Sequence, residues 1–221
     1  MAVTSACKIC LQSIGFLLLS GLLVADQALA EEHRLYTNAE KNLYLQPHHV
    51  GRTQIAGIIF AATEVTLLEQ TQDALHVRLT GWREQGADRA IYEQMGQRIL
   101  AASLRVGAQE RTILGDPVVD PETDLIWHPI SLDVWVSPDR LTPDPNLLWD
   151  QGVAMFQTAC ANCHSSMRPN DYLSNQWIGL MKSMERYITL DKPDYRFLQK
   201  YLQLHASDMD PPLSVENPHA D

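Results

Sequence analysis

The chain of 221 residues is 45% apolar and 20% charged, with 17 basic residues against 27 acidic ones and a formal net charge of -10. It is too apolar for a disordered chain and long enough for one large or two small domains. Lys and Arg form no block, so nothing offers a surface to phosphate backbones, and nucleic acid is excluded as a partner class.

At the front, Lys8 precedes the apolar run IGFLLLSGLLVA, which is followed by Gln27-Ala28-Leu29-Ala30 and a charged EEHR. This layout predicts a secretory leader over 1–30, cleaved after Ala30, and hence a periplasmic product. No later stretch approaches the roughly 20 apolar residues needed to cross a bilayer, so no membrane span is expected after cleavage. Cleavage also removes Cys7 and Cys10, which leaves Cys160 and Cys163 as the only cysteines. Two cysteines do not make the many-bridged framework of a small secreted scaffold.

Residues 31–49 read as an arm or a first strand with an irregular lead. Strand-like runs follow at 57–70, 74–82, 97–104, 110–115 and 125–137, rich in Val, Ile, Thr and Trp and broken by Gly, Pro and Asp. Runs of this kind predict a small antiparallel barrel or sandwich over 31–140. In 74–82 the alternation of Leu75, Val77 and Leu79 with His76, Arg78 and Thr80 predicts a half-buried strand. Three prolines and three aspartates between Ser137 and Asn146 suit neither a strand nor a helix interior and mark a boundary.

The last part, 141–221, reads as a small all-α domain with a tail. Leu148, Gly152, Met155, Phe156 and Ala159 form an apolar stripe leading into the cysteines. A second helix is predicted from Ser174 to Tyr187, with Trp177, Leu180, Met181 and Met184 on one face, and a third from Asp194 to His205. So small a module needs a bound group or a neighbouring domain to be stable.

Cys160-Ala161-Asn162-Cys163-His164 is a C-x-x-C-H, the attachment pattern of haem c. Two thiols nearly one helical turn apart can each add to a vinyl group on one porphyrin edge, and the next imidazole then lies under the iron. A redox dithiol belongs at a helix N-terminus instead, and a zinc site wants four ligands. A plain disulfide leaves His164 without a purpose. One covalently attached haem c is therefore expected, with His164 as the proximal iron ligand. Among the distal candidates Met184 is preferred, seven residues after Trp177 and on the same face, so that the indole would lie against the ring. Met209, in Ser207-Asp-Met-Asp-Pro-Pro212, is the alternative, ahead of His205, Met181 or an open site. His48-His49, His76 and His128 are read as ordinary residues.

Several stretches resemble the C-terminal part of the pentahaem cytochromes of the TorC type, from about Gln54 to Ala206. They are Leu75–Trp82, Gly96–Leu104, the Asp-Pro-Glu-Thr-Asp-Leu-Ile-Trp run ending at Trp127, the haem motif, Asn175-Gln-Trp177 and Arg196–Ala206. The resemblance implies an SH3-like barrel followed by a monohaem cytochrome c module, with Met184 as distal ligand through a W-x6-M pattern. It also implies electron transfer between membrane quinol and a periplasmic trimethylamine N-oxide or related reductase. The tetrahaem portion and retained anchor expected at the front of such a chain are missing from this text, so the family's usual route from quinol is not expected here. The expected function is therefore electron carriage, without catalysis, to or from a redox protein such as a multihaem cytochrome or a molybdenum-containing reductase. The alternatives are a haem enzyme with an open axial site and a structural subunit of a redox complex.

Overall fold

The computed structural model describes residues 34–160 and 167–209. The leader and its cleavage site lie outside the described residues. The described residues from Leu35 onward belong to one compact unit, made of an antiparallel β-region followed by three helices.

Eleven strands make up the β-region: β1 (Arg34–Thr37), β2 (Lys41–Leu43), β3 (Gly57–Ile59), β4 (Glu64–Gln70), β5 (Leu75–Glu84), β6 (Ala90–Tyr92), β7 (Leu100–Leu104), β8 (Ile113–Leu114), β9 (Val118–Val119), β10 (Ile126–Val136) and β11 (Leu141–Thr142). β10 pairs with β5 from Trp127↔Glu84 to Val136↔Leu75, and the ladder continues through β6, β7, β3 and β2. Tyr44, just past β2, exchanges backbone hydrogen bonds of 2.9 and 2.8 Å with Trp135 of β10, so the two ends of the ladder meet and the barrel closes. Closure removes two sheet edges. The inward residues Leu75, Val77, Leu79, Ile130, Leu132, Val134 and Val136 form its core, as the alternation predicts for β5.

The run at 57–70 is two strands rather than one. Ala62 takes a left-handed conformation (φ 57°), and there the chain leaves β3, which pairs with β7, to enter β4, which pairs with β5. Hydrogen bonds tie this corner to β1: Ala62 N–H donates to the Thr37 carbonyl at 2.7 Å, and Thr63 N–H to the Thr37 hydroxyl at 3.1 Å. No Gly or Pro announces the turn. Similarly, the proline-rich segment after Ser137 holds the two-residue β11, which pairs with β1 between Pro138 and Pro143. A contact this short fits in the gap between two residues that cannot donate to a ladder.

The helices are α1 (Asn146–Ala159), α2 (Ser174–Met184) and α3 (Lys192–Leu204). The Asp144 carboxylate accepts from Asn146 N–H at 2.9 Å where α1 begins. The Gln176 side chain accepts from Leu173 N–H at 2.9 Å at α2, and Asp191 caps α3 by accepting from Asp194 N–H at 2.9 Å. These contacts satisfy donors that a helix leaves unpaired at its first turn. Residues 185–187, expected to continue α2, form a 3-10 turn instead. Phe156, Trp177, Met181, Leu198, Tyr201 and Leu202 make the helical core, and Ile99 of the barrel is buried within it. The helical module thus packs against the barrel through Ile99.

Candidate functional site

α1 and α3 cross where Gly152 meets Tyr201. A Cβ on Gly152 would lie 2.2 Å from Tyr201 Cδ2 and 2.5 Å from Cγ, so only glycine allows the ring to lie on the α1 backbone. Eight residues further, α1 ends and Cys160 follows, half-buried against the helical core with its N–H on the Phe156 carbonyl at 2.9 Å. Ala159, Met167, Leu180, Ile188 and Leu190 pack half-buried against the same core. Cys160 is thus one of a set of partly covered apolar residues around the helical core, a setting that suits a large apolar group held by that thiol. Cys163 and His164 lie outside the described residues. Among the described residues no cluster of three or more His, Cys, Asp or Glu side chains could hold a metal ion.

The distal candidates are set in different places. Met181 is 2% exposed and Met209 is 6% exposed, and both are packed into the helical core. Asp208, next to Met209, accepts from Ser174 N–H at 2.7 Å, which puts Met209 beside the start of α2. Met184 is the last residue of α2 and half-buried, ten residues or roughly 15 Å along the axis from Ser174. His205 packs edge-on against Trp149 with ring centroids 5.1 Å apart. Trp149 is eleven residues before Cys160, so His205 lies roughly 16 Å down α1 from the thiol. Its Nδ1 is 2.7 Å from the Tyr201 carbonyl, which fixes the proton there, and burial holds the ring below its ordinary pKa. Trp177 is 2% exposed, donates Nε1–H to the Pro169 carbonyl at 2.9 Å and meets Tyr172 edge-on at 5.1 Å.

The remaining histidines have local settings. His76 stacks on Trp135 at 4.5 Å, and His128 Nδ1 lies 3.3 Å from the Gly115 carbonyl.

A polar seam joins the haem-motif module to the barrel, and sequence reasoning missed it. Asn175 Nδ2 donates to the Gly96 carbonyl at 2.9 Å, and its Oδ1 accepts from Arg98 N–H at 2.8 Å. The Ser174 hydroxyl donates to Gln97 Oε1, while Gln97 Nε2 donates to Asp208 at 2.9 Å. Arg196 pairs with Glu40 at 2.6 Å. At the centre, Lys200 is 4% exposed and holds Thr63 Oγ1 and Glu93 Oε1, each at 2.5 Å. One signal was readable: a lysine between Phe197 and Leu204 on an otherwise apolar stripe of a helix. The stretches Gly96–Leu104, Asn175-Gln-Trp177 and Arg196–Ala206, read apart as marks of resemblance, meet in space along this seam.

Burial pushes the Tyr201 hydroxyl up to about 12 from its ordinary 10.0. An acid raised in the folded state contributes stability that is complete below pH 10 and is lost as pH rises from 10 towards 12, here about 2–3 kcal/mol. Urea unfolding across that range should show the decline, and Tyr201→Phe should flatten it. Tyr92 and Tyr195 are also raised by burial, so some slope should persist.

Comparison with known proteins places these features in a wider group. Residues 29–141 match the family model described as TorC third cytochrome c domain. A cytochrome c-type protein TorY of Haemophilus influenzae is 35% identical over 141 residues, 64% of this chain and 37% of that protein. TorC of Escherichia coli K12 is 29% identical over 159 residues, 72% of this chain and 41% of its own length. TorY of Escherichia coli O157:H7 is 26% identical over 186 residues, 83% of this chain and 50% of that protein. A match of that extent in 221 residues necessarily includes 160–164, whereas the family model ends before them. The chain spans at most about half the length of these relatives. No solved structure matches.

Proposed function

Because the chain belongs to the TorC family of c-type cytochromes, we propose that it is an exported, periplasmic monohaem cytochrome c that carries single electrons to or from a redox protein and turns over no substrate itself. The observation that carries this reading is the place of Cys160, at the end of α1, among the partly covered apolar residues around the helical core. Cys160 and Cys163 would hold one haem c by thioether bonds and His164 its iron. The bound group supplies reversible one-electron chemistry. The chain's own residues supply attachment, an apolar bed that excludes water, and a fixed seat on the barrel. Among the described residues no helix is long and apolar enough to cross a membrane.

Met184 is the distal ligand in this reading. Met181 and Met209 are used in the core and His205 lies at the far end of α1, while Met184 remains half-buried at a helix end. Trp177, on the same face of α2, is held in the helical core by Pro169 and Tyr172 and anchors the helix that carries Met184.

Expression with export and haem maturation should give a protein whose haem survives denaturation and acid–organic extraction. The oxidised form should show a thioether-to-iron band. Met184→Leu should abolish that band and give a high-spin haem that binds carbon monoxide. Met181→Leu and Met209→Leu, near-isosteric changes in a packed core, should keep it. A wild-type product without covalent haem overturns the proposal, and loss of the band only in Met209→Leu moves the ligand to Met209. The electron partner by this reading is a multihaem cytochrome or a periplasmic molybdenum-containing reductase.

A further inference from the structure

The acidic excess is not spread evenly. Residues 35–109 carry seven Lys or Arg and seven Asp or Glu, and residues 146–209 carry six of each. Between them, residues 110–124 hold five acids, Glu110, Asp116, Asp120, Glu122 and Asp124, against Arg111 alone. The helical module is therefore neutral over its described length, and the strongest negative charge on the barrel is gathered in fifteen residues.

The same fifteen residues carry an exposed apolar edge. β8 and β9 pair only with β10 among the described strands, through Ile130↔Leu114, Ser131↔Ile113, Ile126↔Val119 and Trp127↔Val118. All four of their residues are exposed, Ile113 at 68%, Leu114 at 41%, Val118 at 38% and Val119 at 57%. Exposed edges in soluble proteins are ordinarily guarded by charge on the strand, proline or a covering element. Here the paired residues are all uncharged, and Asp116 and Pro117 stand only at the gap between the two strands. An apolar patch rimmed by polar residues is the form of an interaction surface.

This edge also lies near the helical module. Asp120 follows β9 directly and accepts from Glu122 N–H at 3.0 Å and from the Thr123 hydroxyl at 2.6 Å. A Cβ on Gly96 would lie 3.3 Å from Asp120 Oδ2, and the Gly96 carbonyl accepts from Asn175 of α2. Asp120 thus lies close to Gly96, whose carbonyl is held by the start of α2.

We infer that the β8–β9 edge is the docking surface for a protein partner whose own apolar patch is ringed by lysine and arginine. This deepens the electron-carrier reading and rests on it for the partner's redox character. The charge argues for a basic partner: a second copy of this chain would bring acid to acid. Acidic rim residues draw the partner in and set the orientation, and the apolar edge holds it once water is displaced.

A lysine-rich cytochrome c of the mitochondrial type serves as the probe, with the full exported holoprotein. Hydrogen–deuterium exchange should show probe-dependent protection over 113–119, and binding should weaken steeply with salt. Val119→Ser and Ile113→Ser should each weaken binding about tenfold, with an unchanged haem spectrum. Glu122→Gln should reduce the salt dependence. Val106→Ser, at an apolar residue 81% exposed elsewhere on the barrel, should bind as the unchanged protein does. Protection on the helical module alone, no association with the probe, or wild-type affinity in both edge variants overturns the inference. So does protection that appears without probe together with a doubled mass in sedimentation, which assigns the edge to a second copy. Exchange protection is read without electron transfer, so a chain lacking haem overturns the carrier reading and leaves this result separately legible.

Discussion

Gly152→Ala is expected to destabilise the protein by about 2 kcal/mol, although alanine is the better helix former by about 1 kcal/mol. On an exposed helix face this substitution stabilises, so the sign of the change is itself the test. The added carbon would lie 2.2 Å from Tyr201 Cδ2 and 2.8 Å from Cε2, and a ring 3% exposed between α1 and α3 cannot swing aside. α1 must move outward, and overpacking of this kind costs about 1–3 kcal/mol. Because α1 carries Cys160, the proposed haem attachment predicts that the yield of covalently bound haem falls with stability. Urea midpoints of Gly152→Ala, Tyr201→Leu and the double variant provide the check. The smaller partner should restore part of the loss, so the double variant should be more stable than the two single costs predict. Additive costs would show that the crossing does not decide the packing.

The helices of this crossing could be read from sequence because an amphipathic helix repeats its apolar residues at intervals of three and four, and Leu148, Gly152 and Phe156 are all buried in α1 as that pattern requires. β5 was readable for the parallel reason at period two. What the text did not reveal was the corner at Ala62, where a non-glycine residue takes a positive φ under hydrogen bonds from a strand twenty-five residues away. Punctuation by Gly and Pro is a local signal, and that turn is imposed from outside the segment. The candidate site divides similarly. C-x-x-C-H carries its chemistry in five adjacent residues, so Cys160, Cys163 and His164 could be nominated at once. Which of Met181, Met184 and Met209 are buried in the core follows from how α2 and α3 pack, and no local signal carries that. Net charge was legible as a total, but its concentration beside β8 and β9 acquired meaning only when those strands proved to be an exposed edge.

Lys200→Ala should have the largest effect of any substitution in the seam, about 2–4 kcal/mol, because it removes one member of a buried ion pair and leaves the other without its counter-charge. Glu93 is 18% exposed at its side chain and Lys200 5%, so water relieves the carboxylate only in part. Thr63 Oγ1 loses its contact with the ammonium and keeps its own bond to the Ala101 carbonyl at 3.1 Å. Glu93→Gln alone should cost less, since an amide oxygen still accepts from the ammonium. Replacing both partners, Lys200→Met with Glu93→Gln, should recover most of the loss, because it leaves no buried charge without a counter-charge. The direction with pH follows from desolvation, which holds Lys200 below its ordinary 10.5. The unfolded chain then binds that proton more tightly than the folded one, so this residue's contribution to stability rises as pH climbs towards 10.5. Lys200→Met should remove that rise. Denaturant midpoints at pH 7 and pH 10 for the unchanged protein, Lys200→Met, Glu93→Gln and their double variant give the coupling energy and its pH dependence together. Equal costs for Lys200→Ala and the double variant would mean that the seam is held by its apolar contacts, Ile99 in the helical core and Phe197 against Ala61 and Ala62, and that the ion pair only fills it.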